Sequence, residues 1–257
     1  MNARAGPAAS IEIAGVHQTF PGGVKAVVDA NIALRAGDFV SIVGPSGCGK
    51  TTLLNLVAGL VDLQVGHISV AGAAPQAGRR DVAYMLARDC LFPWRTALDN
   101  VMLAGEFRGV PLLQRRARAL DLLGRVGLGD FVHHFPKALS HGMRQRVALA
   151  RTFSMDSPVL LMDEPFGALD AQTKLQLEDV LLDLWSAERR TVVFITHDLS
   201  EAVSLSDRVI VMSARPGRII ADIPIPLPRP RSVRALQKDP TFHKIYTEVW
   251  EWLEQTS

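Results

Sequence analysis

Hydrophobic and polar positions alternate along the start of the chain and then give way to continuous apolar runs. The alternation over 11–20 and 26–34 predicts two antiparallel strands joined at the Pro21-Gly22-Gly23 turn. Further strands are predicted where apolar and β-branched residues cluster, namely at 39–43, 65–70, 82–86, 158–162, 191–196 and 208–213. The last of these is expected to be the final strand of the core.

Helical periodicity fills most of the intervals between these strands. Ser140 has the residue type and position of a helix N-cap, and Pro111 those of a first-turn residue. The pattern predicts an α/β domain with a helical insertion. The expected helices span 52–59, 96–106, 112–125, 140–155, 171–187 and 200–206.

The end of the chain is organised differently. Four prolines at alternate positions over 224–230 predict a stiff linker rather than a PxxP ligand. Asp239-Pro240 can then start a helix with an acidic polar face, which we expect to pack on the core and not on a membrane. Its apolar stripe consists of Phe242, Ile245, Val249, Trp252 and Leu253.

These patterns predict three parts. A loose tail occupies 1–10, and the main domain occupies 11–220 with a helical subdomain at about 88–150. The linker and the C-terminal helix occupy 221–257.

Composition narrows the class of protein. The chain has 257 residues, of which 48% are hydrophobic and 21% charged, and its formal net charge is +2, which does not indicate nucleic-acid binding. Nine arginines against five acidic residues at 79–125 are interpreted as a solvated helical face, with anionic lipid headgroups or nucleic acid as alternatives. Without a transmembrane run or a secretory signal, we expect a soluble, cytoplasmic protein in which Cys48 and Cys90 are free thiols.

The strongest chemical signal is a phosphate-binding loop between a predicted strand and a predicted helix. Glycines let backbone N–H groups curl around a polyphosphate, and a helix N-terminus behind them favours an anion. Lys50 supplies a charge between the outer phosphates, Thr51 offers a hydroxyl to Mg²⁺, and Thr52 follows in the helix. The loop reads Gly44-Pro45-Ser46-Gly47-Cys48-Gly49-Lys50-Thr51.

Two further strand ends carry polar residues suited to nucleotide hydrolysis. Asp163 and Glu164 follow a buried strand, where Asp163 would hold Mg²⁺ through its water shell and Glu164 would orient or deprotonate water. His197 follows another buried strand and could hydrogen-bond a γ-phosphate oxygen.

In order and spacing, five motifs resemble those of the ATPase subunit of an ATP-binding cassette (ABC) transporter. The resemblance covers about 11–220 and implies an α/β P-loop NTPase (RecA-like) core with an antiparallel β subdomain and a helical insertion. The motifs are the phosphate loop at 44–51, a signature at 139–145, the acidic strand at 160–165, the turn at 167–170 and the switch at 196–198.

The resemblance also implies roles for single residues. Phe20 would stack on adenine, and two cassettes would pair head to tail, most simply as a homodimer. Ser140 and Gly142 of one copy would close over the γ-phosphate held by Lys50 of the other, with Asp170 at the seam.

The implied cofactors are ATP and Mg²⁺, and the implied activity is ATP hydrolysis coupled to transport. The partners would be membrane permease subunits and, indirectly, an extracytoplasmic solute-binding protein, but no nucleic acid. The chain would lie peripherally on the cytoplasmic face of the inner membrane. The segment around 87–94 would receive the permease.

Two positions depart from the family pattern. Ala87 stands where a glutamine that contacts Mg²⁺ and water is usual, and His141 stands where the first signature glycine is usual. A weakly or non-hydrolysing cassette of a heterodimer is therefore an alternative, as is an ABC ATPase outside transport. The segments 91–94, 163–173 and 216–230 look like the nitrate, sulfonate, taurine and bicarbonate import group, although related importers carry vitamin precursors.

Overall fold

The computed structural model describes residues 9–255, so the predicted tail at 1–10 lies almost entirely outside the described residues. Its strands are β1 (Ile11–Phe20), β2 (Val24–Leu34), β3 (Phe39–Val43), β4 (Val65–Val70), β5 (Val82–Met85), β6 (Val159–Asp163), β7 (Thr191–Ile195), β8 (Arg208–Met212) and β9 (Ile219–Pro224). Its helices are α1 (Lys50–Val57), α2 (Ala97–Phe107), α3 (Leu112–Arg125), α4 (His141–Ser154), α5 (Ala171–Glu188), α6 (Leu199–Leu205), α7 (Val233–Leu236) and α8 (Pro240–Glu254).

The strands form two sheets within the described residues. β2, β1 and β4 form an antiparallel sheet, and Phe20 pairs with Val24 across the predicted turn. The larger sheet has the order β5-β6-β7-β3-β8-β9, in which the first five strands are parallel. The predicted α/β core and antiparallel subdomain are therefore confirmed.

The prediction that 208–213 is the final strand of the core is wrong. β9 pairs antiparallel with β8, with Val209 opposite Ile223 and Val211 opposite Ala221. Pro224 is tolerated because it ends a strand at the edge of the sheet, where only one side needs hydrogen bonds. Residues 221–224 thus belong to the central sheet, although the predicted division of the chain placed them in the linker.

Helices and the small sheet cover both faces of the central sheet, which explains the continuous apolar runs. Along β6, Val159 and Leu161 face a core shared with α1 and the antiparallel sheet, while Leu160 and Met162 face a core shared with α4 and α5. Trp185 of α5 also forms a T-shaped ring pair with Phe39.

The predicted helical insertion is confirmed as α2 and α3, which pack on each other and on α4. Thr96 caps α2 by accepting a hydrogen bond from the Asp99 backbone N–H, and the Asp99 carboxylate accepts one from the Thr96 backbone N–H. Ser140 caps α4 through a 3.2 Å bond from the Met143 N–H, as predicted.

Helix α8 packs on the core, as its acidic polar face predicted. Asp239 caps it, and Phe242, Ile245 and Val249 are buried against α6, β8 and β9. Among the described residues, no helix is both long and apolar enough to cross a bilayer.

A buried carboxyl lies between α5 and α6. Glu178 is 2% exposed, and its Oε2 has no hydrogen-bond partner. Burial, followed by the nearby charges of Glu201 and Asp198, raises the pKa of Glu178 from 4.5 to about 9. This carboxyl is therefore neutral in the folded protein near pH 7.

Replacing Phe242 by alanine tests how much the C-terminal helix contributes to the fold. Because the ring is fully buried, we expect the free energy of unfolding to fall by about 3 kcal/mol. Trp250→Ala on the same helix is the control, since Trp250 is 47% exposed, and should cost less than about 1 kcal/mol. Chemical denaturation measures both, and equal losses would contradict the packing described.

Glu178→Gln tests the buried carboxyl. The unfolded chain ionises Glu178 above about pH 4.5 whereas the folded protein does not until about pH 9, so this group lowers stability as pH rises between the two. The variant should therefore gain melting temperature over wild type at pH 8, by roughly 4 °C or more, and gain less at pH 5. The control is Glu254→Gln at an exposed position, and a pH-independent difference would refute the assignment.

Candidate nucleotide-binding site

The phosphate loop links the end of β3 to the start of α1, as predicted. Gly47 and Gly49 have φ of +74° and +108°, which disfavours side chains. A Cβ on Gly49 would also lie 2.6 Å from the Ala26 carbonyl oxygen. The loop conformation therefore depends on glycine at these two positions.

Lys50 lies inside this loop and is only 6% exposed. Its Nζ donates to the carbonyl oxygens of Gly44 at 2.8 Å and Pro45 at 3.0 Å, and lies 3.9 Å from Cys48 Sγ. These contacts fix a positive charge within the curve of the loop, where a phosphate chain would bind.

The acidic strand end lies against the start of α1. Thr51 Oγ1 donates to Asp163 Oδ1 at 3.2 Å. Burial raises the pKa of Asp163 most strongly, while the Thr51 hydroxyl partly offsets that rise. A hydroxyl beside a carboxylate provides the hard oxygen donors that Mg²⁺ prefers, so these residues fit the ion.

Glu164 and His197 meet at the ends of two adjacent parallel strands. Glu164 Oε2 lies 3.2 Å from His197 Nδ1. The backbone of Glu164 has φ of +47°, a left-handed conformation that non-glycine residues adopt at a cost, and its N–H donates to the Ile195 carbonyl at 2.9 Å. Strain of this kind is typical of functional sites.

A cavity of about 230 Å³ lies between the phosphate loop and Glu164, whereas Asp163 and His197 do not line it. Phe20, which is 37% exposed, and Glu164 both line it. The structure thus places Phe20, predicted to stack on adenine, and Glu164, predicted to act on water, along the same cavity as the phosphate loop. The loop residues that line it are Ser46, Gly47, Gly49, Lys50, Thr51 and Thr52.

Arg215 also lines this cavity, although the sequence analysis assigned it no role. Its Nε and Nη2 donate to the Gly47 carbonyl oxygen at 3.1 and 3.0 Å. The turn that carries it lies against the loop, because a Cβ on Gly217 would be only 2.0 Å from the Cys48 carbonyl oxygen. No local pattern indicates this contact, since Arg215 is far from the loop in sequence.

The remaining predicted residues lie elsewhere. Ser140, Gly142 and Asp170 line a second cavity of about 420 Å³, which shares no lining residue with the first. Asp170 Oδ1 accepts from the Thr173 N–H at 3.0 Å, and hydrogen bonds from Thr173 lower the pKa of Asp170. The predicted site residues therefore lie at two separate cavities of one chain, which we call half-sites.

Of the two unusual positions, His141 is the first residue of α4 and Ala87 lies beside that helix. Ala87 is exposed, and its carbonyl accepts from Gln145 Nε2 at 3.1 Å. His141 Nδ1 lies 3.2 Å from Arg144 Nη2, while its Nε2 is buried without a hydrogen-bond partner. Arg144 also forms a 2.9 Å ion pair with Asp89, so His141 belongs to a contact between α4 and the segment after β5.

Comparisons with known proteins agree on the family. The ABC transporter family model matches residues 27–167. Taurine import ATP-binding protein TauB of Rhizobium johnstonii is 42% identical over 222 residues, which are 85% of each chain. Nitrate import ATP-binding protein NrtD of Synechococcus elongatus is 40% identical over 244 residues, which are 93% of this chain and 89% of that one.

A solved structure supports the same assignment. The ATP-binding cassette MJ0796, in a dimeric post-hydrolysis state bound to ADP and Pi, matches with a TM-score of 0.74 and 31% identity, covering 84% of this chain and 98% of that one. This match confirms the P-loop NTPase fold. The chain therefore belongs to the ABC transporter family, as an ATPase of the group that includes the nitrate and taurine importers.

Proposed function

We propose that this chain hydrolyses ATP to power import of a small anion, of the nitrate, sulfonate or taurine type, through a separate membrane permease. The observation that carries the proposal is the contact between Glu164 and His197, because Glu164 also lines the cavity that Lys50 lines. The similarity to a taurine and a nitrate import protein supports the choice of solute class.

In this mechanism Lys50 binds the outer phosphates through the charge that the loop holds in place. Thr51 and Asp163 would hold Mg²⁺, which neutralises phosphate charge when bound. Phe20 provides a ring face for adenine at the mouth of the same cavity.

Glu164 accepts a proton from the attacking water as the water oxygen bonds to the γ-phosphorus and the bond between the γ-phosphorus and the leaving oxygen of ADP breaks. His197 donates a hydrogen bond to a γ-phosphate oxygen. When both ring nitrogens carry a proton, the Nδ1–H donates to the Glu164 carboxylate, so each of the two side chains orients the other.

A second copy completes the site. Ser140 and Gly142 lie at the N-terminus of α4, where free N–H groups favour an anion, and they would close over the γ-phosphate in the partner. Asp170 would lie at the seam. The two separate half-sites and the dimeric MJ0796 cassette support this arrangement.

The permease would dock beside the segment 87–94. Trp94 is 70% exposed and Leu86 is 45% exposed, and apolar exposure of this kind is typical of a protein interface. Binding there would place the chain peripherally on the cytoplasmic face of the inner membrane. An extracytoplasmic solute-binding protein would act through the permease alone.

Ala87 favours a second candidate, an ATP-binding subunit of a heterodimer that hydrolyses ATP weakly or not at all. The methyl group of Ala87 can hold neither Mg²⁺ nor water. We favour hydrolysis because Glu164, His197 and Lys50 are all in place.

We further propose that Arg215 contacts the nucleotide. Its guanidinium is tied to the Gly47 carbonyl through Nε and Nη2, so its charge is held at the cavity between Phe20 and the phosphate loop. An arginine in this place can bind a phosphate oxygen or stack on the base.

Glu164→Gln tests hydrolysis. Without the carboxylate that accepts the proton of water, we expect steady-state turnover of ATP with Mg²⁺ to fall by about 10²-fold or more, while ATP binding persists. Glu248→Gln, an exposed acid on α8, is the matched control and should hydrolyse ATP like wild type. A wild-type chain that binds ATP without turnover would support the heterodimer instead, and full activity in Glu164→Gln would remove Glu164 from the mechanism.

Arg215→Met tests the additional contact. Loss of the tethered charge should raise the dissociation constant for ATP by about tenfold, which corresponds to about 1.4 kcal/mol, and leave kcat at saturation within about twofold. Titration calorimetry and steady-state kinetics measure the two effects. Arg218→Met is the control, because Arg218 lies in the same turn but does not line the cavity. Unchanged affinity in Arg215→Met would assign Arg215 a purely structural role.

A further inference from the structure

A network of polar side chains lies beneath the loop that carries His197, and the mechanism proposed above does not use it. Its members come from α5, from the end of β7 and from the start of α6. Glu201 is 2% exposed and Thr196 is also 2% exposed. Burying a polar side chain costs free energy of folding unless a hydrogen-bond partner compensates it, so the partners of each member of this network matter.

The network holds the residues on both sides of His197. Thr196 Oγ1 donates to Glu201 Oε2 at 2.5 Å and accepts from the Asp198 N–H at 3.0 Å. Lys174 Nζ donates to Asp198 Oδ2 at 3.0 Å and lies 2.9 Å from Glu201 Oε1. These contacts form a closed ring from which the His197 side chain projects toward Glu164.

Lys174 supplies the positive charge that offsets the acidic side chains of Asp198 and Glu201 in this ring. Burial raises the pKa of Glu201 most strongly, whereas the Thr196 hydrogen bond and the Lys174 charge lower it. Glu178 faces the same space but is neutral near pH 7 and accepts no hydrogen bond at Oε2. Among the described residues, every ion pair within the ring involves Lys174.

Lys174 also lies close to the second half-site. It is in the first turn of α5, which Asp170 caps through the Thr173 N–H, and both Asp170 and Thr173 line the larger cavity. A displacement of the start of α5 would therefore move Lys174 and, through the ring, the loop that carries His197.

We propose that Lys174 and Glu201 are positioning residues that set the orientation of His197 toward Glu164 and couple it to the start of α5. The kinetic test of this proposal rests on the function proposed above, because it requires the chain to hydrolyse ATP. Neither residue lines the nucleotide cavity, so they act through His197 rather than on the nucleotide.

Lys174→Met is the test variant. If the ring positions His197, kcat for ATP should fall by about tenfold or more while KM changes by less than about threefold, because Lys50 and the phosphate loop are untouched. Lys174→Arg keeps the charge and should recover most of the rate. Glu201→Gln keeps an acceptor for Thr196 but loses the ion pair, and should give an intermediate rate.

Glu178→Gln is the matched control. It replaces a buried acid of the same cluster that is neutral near pH 7, and it should hydrolyse ATP at the wild-type rate. If Lys174→Met lost kcat only in proportion to its folded fraction, measured by circular dichroism, the ring would have a structural role alone and the proposal would be overturned. The same conclusion would follow if Lys174→Met kept the wild-type kcat.

A second measurement does not depend on turnover. In protein labelled with ¹⁵N-histidine, the ring nitrogen resonances of His197, assigned with a His197→Gln variant, report its contact with Glu164. Lys174→Met should shift these resonances in the same direction as Glu164→Gln, whereas Glu178→Gln should leave them in place. Unmoved resonances in Lys174→Met would overturn the positioning role of Lys174 and Glu201 even if the chain hydrolysed no ATP. The positioning role and the hydrolytic function can therefore be refuted independently.

Discussion

The register of three parallel strands determines where the chemistry of this chain can occur. Ile42 of β3 pairs with Ile195 of β7, and Ile195 in turn pairs with Asp163 of β6. The phosphate loop begins two residues after Ile42, and His197 follows Ile195 by the same distance. Because the carboxyl ends of parallel strands lie at one edge of the sheet, this single alignment brings together groups that are far apart in sequence.

Strand burial maintains that register. β3 and β7 are buried at every position, and helices or the small sheet cover both faces. A one-residue slip of β6 would exchange the apolar sets that face its two cores and would move Asp163 away from Thr51. The packing of apolar side chains therefore positions the polar site.

The sequence predicted features that depend on local patterns. Buried runs indicated β3, β6 and β7, and the loop glycines and the caps of α4 and α8 follow from residue type. It did not predict contacts between segments that are distant in sequence. These are the pairing of β9 with β8, the hydrogen bond of Arg215 to the loop and the ring around Lys174. Each of these depends on tertiary neighbours that no period or spacing encodes.

The segment after β5 illustrates how such contacts change the meaning of a single residue. Ala87 has no side chain that could reach the nucleotide, but its carbonyl is held by Gln145, and the carbonyls of Asp89 and Cys90 accept from Arg151. Arg144 adds an ion pair to Asp89. All three partners lie on α4, whose N-terminus carries Ser140 and Gly142. A displacement of this segment by a docked permease would therefore be transmitted to α4, and so to the half-site that faces the partner cassette in the proposed dimer.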